Sequence, residues 1–364
     1  MERFGFVGLP NAGKSSLYNA LSGGSALAAP YAFATKDPNV GVARVPDERL
    51  ERLAVMSASR KVVPATVQFV DIGGLVEGAS TGEGLGNKFL ANIREADAIT
   101  FVLRAFSDAD VPGPADPLEH LRVVETELAL ADLETVERQI DKRRKAAKQD
   151  RALAAEVAAL ELAHACLAAG TPIYRGDLTT GDRELLAPYF LLTNKPVLAV
   201  VNVSEDDLDR VDEIVAPVAA ELSGAGGAGE RAEVIGMCVQ LEAEAAQLAE
   251  DERAEMLEAL GLGEGALPRF VRSAYHLLGL RTFLTTGDKE SRAWTFRAGW
   301  KAPQCAGVIH TDFERGFIRA EVIRWDELLE IGSWSKARDV GKLRIEGKDY
   351  EVADGDVMEI RFNV

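Results

Sequence analysis

Between the apolar tetrapeptide Phe4-Gly5-Phe6-Val7 and a helical repeat carrying Leu17, Tyr18 and Leu21, the chain places Gly8-Leu9-Pro10-Asn11-Ala12-Gly13-Lys14-Ser15-Ser16. Every position of the pattern G-x-x-x-x-G-K-[ST] is filled. The flanks read as the buried strand and the helix that this pattern requires. Few short stretches constrain a fold as strongly. The glycines let successive backbone N–H groups curl around phosphate oxygens, and the helix N-terminus adds its partial positive charge. The spacing therefore predicts an α/β nucleotide-binding domain. Asn11, Ala12, Gly13, Lys14, Ser15 and Ser16 wrap the phosphates, Lys14 reaches the β- and γ-phosphates, and the Ser15 hydroxyl ligates Mg2+.

Downstream segments extend this site. Ala34-Thr35-Lys36-Asp37-Pro38-Asn39 is an irregular polar stretch before the strand-like Val40-Gly41-Val42-Ala43-Arg44-Val45. Thr35 reads either as an ordinary loop residue or as a second hydroxyl on Mg2+. Thr66-Val67-Gln68-Phe69-Val70-Asp71 is a strand ending in an acid, and Ile72-Gly73-Gly74 completes D-x-x-G. Asp71 then holds the metal shell through water, and the Gly74 amide meets the γ-phosphate. Residues 78–87 are glycine-rich and read as a mobile loop where a nucleotide-sensing switch belongs. Further on, Val197-Leu198-Ala199-Val200-Val201-Asn202 is a strand followed by Val203-Ser204-Glu205. A guanine reader there would be N-K-x-D. The Lys is missing, and Glu205 is one carbon longer than Asp. Asn194-Lys195-Pro196 precedes the strand and is read as a decoy. Val234-Ile235-Gly236-Met237-Cys238 is the expected last strand of this domain, with the base beside the loop that follows.

From about residue 117 the period becomes helical. Leu121, Val124, Leu128, Val136 and Ile140 recur on one side, and Leu153, Val157, Leu160 and Leu167 follow. Between the two runs lie Arg138, Lys142, Arg143, Arg144, Lys145, Lys148 and Arg151. Two antiparallel helices with a basic tip are expected. The tip reads as a solvated hairpin end or as a contact for RNA or ribosome. Glu242 to Glu258 reads as a solvated acidic helix. After residue 280 short strands separated by Gly/Asp turns form a small β-rich module. Within it, His310-Thr311-Asp312 reads as a helix start capped by Thr311 or Asp312.

Composition limits the alternatives. A 364-residue chain with 47% apolar and 27% charged residues supports two or three globular domains. The net charge of −17 argues against coating nucleic acid with the whole surface, but leaves room for a local patch. Cys166, Cys238 and Cys305 are scattered and odd in number, which argues against a disulfide framework or a zinc site. Met1-Glu2-Arg3-Phe4 leads into the first strand with no signal-peptide pattern, and no apolar run has the length of a membrane span. A cytoplasmic protein without membrane contact is expected.

With these motifs in this order, the chain resembles the YchF / Obg-like ATPase family from end to end. The resemblance rests on Gly8 to Ser16, Phe69 to Val76, Gly82 to Asn87, Asn202 to Glu205, His310 to Ala320, and Asp354 to Val364. It implies an OBG-type P-loop domain over residues 1–278, interrupted by a helical hairpin at 118–170, and a β-grasp-like TGS module over 281–363. It also implies an ATPase, with GTP used less well, that binds the ribosome or its large subunit. The rRNA contact would run through the basic tip and the TGS module. Asn202, Val203 and Glu205 would lie at the base, Asn202 serving adenine as donor and acceptor. Val239-Gln240 departs from the small residues the family usually has there. Lys14, Asn11 and Gly74 are the expected catalytic residues, and Ser15, Thr35 and Asp71 the expected Mg2+ residues. Leu75 stands where Ras-like enzymes carry a water-orienting Gln, so slow turnover is expected. By resemblance to related hydrolases Asn11 either helps bind K+, which then acts like an arginine finger, or only shapes the loop. Two other readings stay open, a GTP-specific assembly factor using Glu205 and a binding module whose hydrolysis is incidental.

Overall fold

The computed structural model describes residues 2–23, 40–71, 85–108, 113, 115–148, 150, 153–223 and 231–363. Thr35, the Gly73-Gly74 pair, Leu75, Arg151 and most of the glycine-rich stretch lie outside them.

The chain begins β1 (Arg3–Val7), α1 (Lys14–Gly23), β2 (Val40–Arg44), α2 (Glu48–Met56), β3 (Val62–Val63) and β4 (Thr66–Asp71). There follow α3 (Leu85–Arg94), β5 (Ala98–Arg104), the 31-residue α4 (Pro117–Ala147), α5 (Ala154–Ala168) and α6 (Thr180–Leu186). Then come β6 (Val197–Asn202), α7 (Val211–Ser223), β7 (Ala232–Met237), α8 (Val239–Ala245), α9 (Glu250–Ala259) and α10 (Ala266–Leu277). Leu85 to Asn87, expected in a mobile loop, form the first turn of α3. After β7 only Cys238 precedes α8.

The chain divides into two compact units, Met1–Ala43 with Gln68–Leu278, and Arg44–Val67 with Gly279–Val364. The first holds a six-stranded sheet in the order β2-β4-β1-β5-β6-β7. From β4 to β7 the neighbouring strands run parallel. Their near-continuous apolar sequences follow from burial on both faces: all of Ala98–Arg104 and Val197–Asn202 is buried. Phe6 stacks on Phe69 with ring centroids 5.6 Å apart, and Phe270 meets Phe69 at a tilt, 5.5 Å away, filling one face of the sheet. The order reverses direction at β1, with β4 on one side and β5 on the other. Such switch points open a crevice at the carboxyl ends of the strands.

The helical hairpin is present. Leu121, Val124 and Leu128 of α4 face the sheet core, whereas Val136 and Ile140 pack on Leu160 and Leu167 of α5. Asp132 interrupts this apolar seam and is fully buried. Its carboxylate accepts the Leu192 amide at 2.9 Å, the Thr193 amide at 2.7 Å and the Thr193 hydroxyl at 2.8 Å. These bonds replace the lost hydration. Asn194 and Lys195 belong to the same structural corner, where the Lys195 ammonium donates to the carbonyls of Arg94 and Ala96. They are indeed a decoy.

In the second unit the remaining strands are β8 (Leu280–Thr285), β9 (Ser291–Arg297), β10 (Phe317–Arg324), β11 (Arg344–Glu346) and β12 (Asp356–Phe362). They form a mixed sheet in the order β11-β10-β12-β8-β9-β3. Its core gathers Phe283, Phe296, Cys305, Phe317 and Val322. The segment 44–67, which the family resemblance assigned to the nucleotide domain, packs here. Val62 and Val63 add the edge strand beside β9, and Arg49 pairs with Asp354 at 2.7 Å. The short helix Thr311–Arg315 starts where expected, with a different cap. His310 Nδ1 accepts the Asp312 amide, so the imidazole takes the place assigned to Thr311 or Asp312. The three cysteines stay unpaired, and no helix among the described residues is long and apolar enough to cross a membrane.

Candidate functional site, a phosphate-binding loop and its cleft

The loop between β1 and α1 takes a conformation that few residue types allow. Asn11 has φ +60° and Gly13 φ +101°. Asn tolerates the left-handed region because its short side chain can bond locally, and Gly enters it without steric cost. At Gly13 space decides as well as angle, since a Cβ there would lie 2.4 Å from the Asn202 amide nitrogen. At Gly8 a Cβ would lie 2.4 Å from the Val102 carbonyl oxygen, so the loop can hug β5 only with glycine.

Lys14 opens α1 and is only 7% exposed. Its ammonium donates to the Leu9 carbonyl at 2.7 Å, closing the loop on itself. Burial pulls its pKa down to about 8, against the opposing attraction of Asp71. The Ser15 hydroxyl lies 3.1 Å from an Asp71 carboxylate oxygen and donates to it. A hydroxyl in the first turn of α1 and a carboxylate at the carboxyl end of β4, held side by side, are the hard oxygen donors that Mg2+ takes.

Asn202, at the end of β6, is 5% exposed and uses both ends of its amide. The NH2 donates to the Ala12 carbonyl at 3.0 Å, and Oδ1 accepts the Val239 amide at 3.0 Å. The residue expected to meet the base thus pins the phosphate loop to the first turn of α8. One donor position and one acceptor position on it are left over. Val203 is buried in the sheet core and also borders the cleft, while Glu205 stands exposed at its edge.

These residues surround a cleft of about 950 Å³. Asn11, Gly13, Lys14, Ser15 and Ser16 line one end, and Asn202, Val203, Ser204 and Glu205 line the other. Sequence reading missed Phe106, Ser107 and Asp108, which follow the end of β5, and Glu244 and Gln247, which extend the α8 side. The strand-end position of Phe106 was a usable signal. Glu244 and Gln247 had none, because they read as part of a solvated acidic helix. Buried Arg104 shapes the β5 loop by donating to the carbonyls of Phe106 and Gly113. Among the proposed site residues, Thr35 and Gly74 lie outside the described residues.

Fold and cleft together define a P-loop nucleotide-binding protein. A family model described as a 50S ribosome-binding GTPase matches residues 3–142, and the YchF-GTPase_C model, described as a protein of unknown function, matches residues 280–363. The chain belongs to the YchF family. It is 46% identical over 366 residues to the ribosome-binding ATPase YchF of Bacillus subtilis, covering 99% of both chains. Against the protein of the same name from Haemophilus influenzae it is 46% identical over 370 residues, again covering 99% of each. The structure of the Schizosaccharomyces pombe YchF GTPase superposes with a TM-score of 0.88 at 34% identity, covering 99% of this chain and 97% of that one.

Proposed function

We propose that this chain is a ribosome-associated ATPase that hydrolyses ATP to ADP and phosphate, with GTP a poorer substrate, and acts as a nucleotide-dependent regulator of translation or stress response. The observation that carries the reading is the juxtaposition at the loop. Lys14 is buried with its ammonium turned into the loop, and Ser15 lies 3.1 Å from Asp71 beneath the same cleft. Triphosphate oxygens entering the loop would replace the Leu9 carbonyl as partner of Lys14. Water attacks the γ-phosphorus, the bond to the β–γ bridging oxygen breaks, and ADP leaves with the electron pair. Charge neutralisation and alignment supply most of the catalysis in such a transfer.

The donor set at Ser15 and Asp71 fits Mg2+, which when bound neutralises charge on the β- and γ-phosphates. Thr35 completes the proposed metal set, and the Gly74 amide would meet the γ-phosphate. Asn11, exposed at the mouth of the loop, supports the K+ reading through its side-chain carbonyl. ATP preference is supported by Val203 and Glu205 standing where a guanine reader would present Lys and Asp.

For the partner, the hairpin tip supports contact with the RNA backbone. Arg143 is spent on Glu156 and Tyr189, Arg144 on Glu161, and Arg138 leans on Glu134. Among the described residues no carboxylate lies within ion-pair reach of Lys142, Lys145 or Lys148, all three exposed at the C-terminal end of α4. Relatives named as ribosome-binding ATPases agree with such a partner. We place the working protein in the cytoplasm on the same grounds.

The deciding experiment is calorimetry of non-hydrolysable ATP and GTP analogues with Mg2+ and K+ present. A preference for ATP of about tenfold, or about 1.4 kcal/mol, is expected. The same margin for GTP would make Glu205 a guanine reader and replace this reading. Lys14→Ala should abolish hydrolysis. If it leaves nucleotide-dependent ribosome binding whole, hydrolysis is incidental.

A further inference from the structure

The turn that follows α6 ends on a residue that stability alone would not choose. Phe190 stands in the left-handed region, with φ +52° and ψ +39°, where a bulky side chain is an outlier and Gly or Asn is at ease. Its backbone is held there from both sides. The Phe190 amide donates to the Ala187 carbonyl at 3.2 Å, and its carbonyl accepts from the Arg94 guanidinium at 3.0 Å. Before it Tyr189 is anchored by Arg143, and after it Leu192 and Thr193 are anchored by Asp132. The side chain gains little burial in return, because Phe190 is 62% exposed. Phe362, the other exposed phenylalanine among the described residues, has Phe313 stacked on it at 4.0 Å. A strained backbone fixed by its surroundings, with an aromatic ring left in water, points to a group that binds something.

The same bonds place the residue beside the basic helix. Arg94 donates to the Thr135 hydroxyl at 3.3 Å through its other terminal nitrogen, and Arg143 donates to the Tyr189 hydroxyl at 2.8 Å. Tyr189 and Phe190 therefore lie along α4 between Thr135 and Arg143, a span of about 12 Å. Arg138 and Lys142 sit in that span, both exposed, and Lys145 and Lys148 continue beyond it. We infer that Phe190 is a stacking platform for an unpaired RNA base, with the cations of α4 holding the neighbouring phosphates. The inference rests on the RNA contact proposed for the hairpin tip and adds the kind of strand it takes. Aromatic faces stack on the splayed bases of single strands, loops and bulges, whereas a base inside a duplex has no free face to give. The neighbouring cations favour this polyanion over an apolar patch on a protein.

The full-length chain would be titrated with a single-stranded oligouridine and with a blunt RNA duplex over a range of salt. Phe190→Ala should weaken binding of the single strand by about five- to hundredfold, the worth of one stacked base. Duplex affinity and both salt slopes should stay as in the wild type, since no charge is removed. Phe190→Trp should keep the single-strand affinity, whereas Phe190→Leu, apolar but without a π-face, should lose it. Phe190→Gly separates binding from folding. It suits the left-handed backbone, so its urea midpoint should rise while single-strand affinity falls. A midpoint that falls instead would make the ring a structural group and overturn the inference. Unchanged single-strand affinity in Phe190→Ala also overturns it, while a reduced salt slope in the Lys142, Lys145 and Lys148 variant would keep the RNA contact itself. Full binding by Phe190→Leu would mark a plain apolar contact and refute stacking. A wild type that binds neither RNA overturns the RNA contact and the inference together.

Discussion

Replacing Asn202 by Ala should destabilise the first unit by about 2–4 kcal/mol, although both of its amide bonds described above go to backbone groups. The magnitude follows from what is left behind. Ala12 and Val239 are 0% and 1% exposed, and each loses its partner when the amide is removed. An orphaned buried donor or acceptor costs about 1–3 kcal/mol, and partial relaxation trims the sum of the two. Asn202→Asp sharpens the test. The new carboxylate can still accept the Val239 amide, but its other oxygen would face the Ala12 carbonyl at the present 3.0 Å with no proton between. Burial and that contact would raise the new carboxyl's pKa, so the folded state would bind a proton more tightly than the unfolded chain. The deficit is then full above the raised pKa and shrinks as pH falls through it, when the protonated oxygen can donate to Ala12. Urea unfolding followed by circular dichroism reports the helix-rich first unit. Fluorescence reports the second, because all four tryptophans, Trp294, Trp300, Trp325 and Trp334, lie within Gly279–Val364. A dichroism shift under about 0.5 kcal/mol for Asn202→Ala, the range of an inert surface change, would refute the pinning role.

Lys14 gives the second expectation. With its free-state pKa near 8 and raised again by an incoming triphosphate, ATP affinity should be full below about pH 8 and fall as pH rises through it; Lys14→Arg should flatten the profile, and calorimetry showing a flat wild-type profile would contradict the assignment. At the hairpin tip, changing Lys142, Lys145 and Lys148 together to Gln should reduce the slope of log affinity against log salt for an RNA duplex by about 2–3. Arg144→Gln, whose charge is already spent on Glu161, should reduce it less, and an unchanged slope in the triple variant would remove the tip from the interface.

The phosphate loop was legible in the sequence because its chemistry is local. Glycine spacing, Lys14 and Ser15 act within one turn of chain, and the flanking apolar residues announce the strand and helix that hold them. The hairpin and the β-rich C-terminal module were legible for the same reason, through periods of 3.6 and 2 residues. Spacing also placed Asp71 at a strand end, and the fold then set it 3.1 Å from Ser15 across 56 residues of chain.

What the tertiary structure alone decided are pairings between residues far apart in sequence that share no local pattern. Nothing near Asn202 shows that its amide reaches Ala12, 190 residues away. Asp132 reads as a polar break in an apolar helix until the amides of Leu192 and Thr193 are seen to meet it. The segment 44–67 has no motif of its own and joins the second unit through Val62, Val63 and Arg49. Gln240 and Glu244 are a helical pair by spacing, but only the fold turns them toward the cleft. Burial makes such partners necessary, because a polar group taken out of water must find another polar group wherever the folded chain brings one.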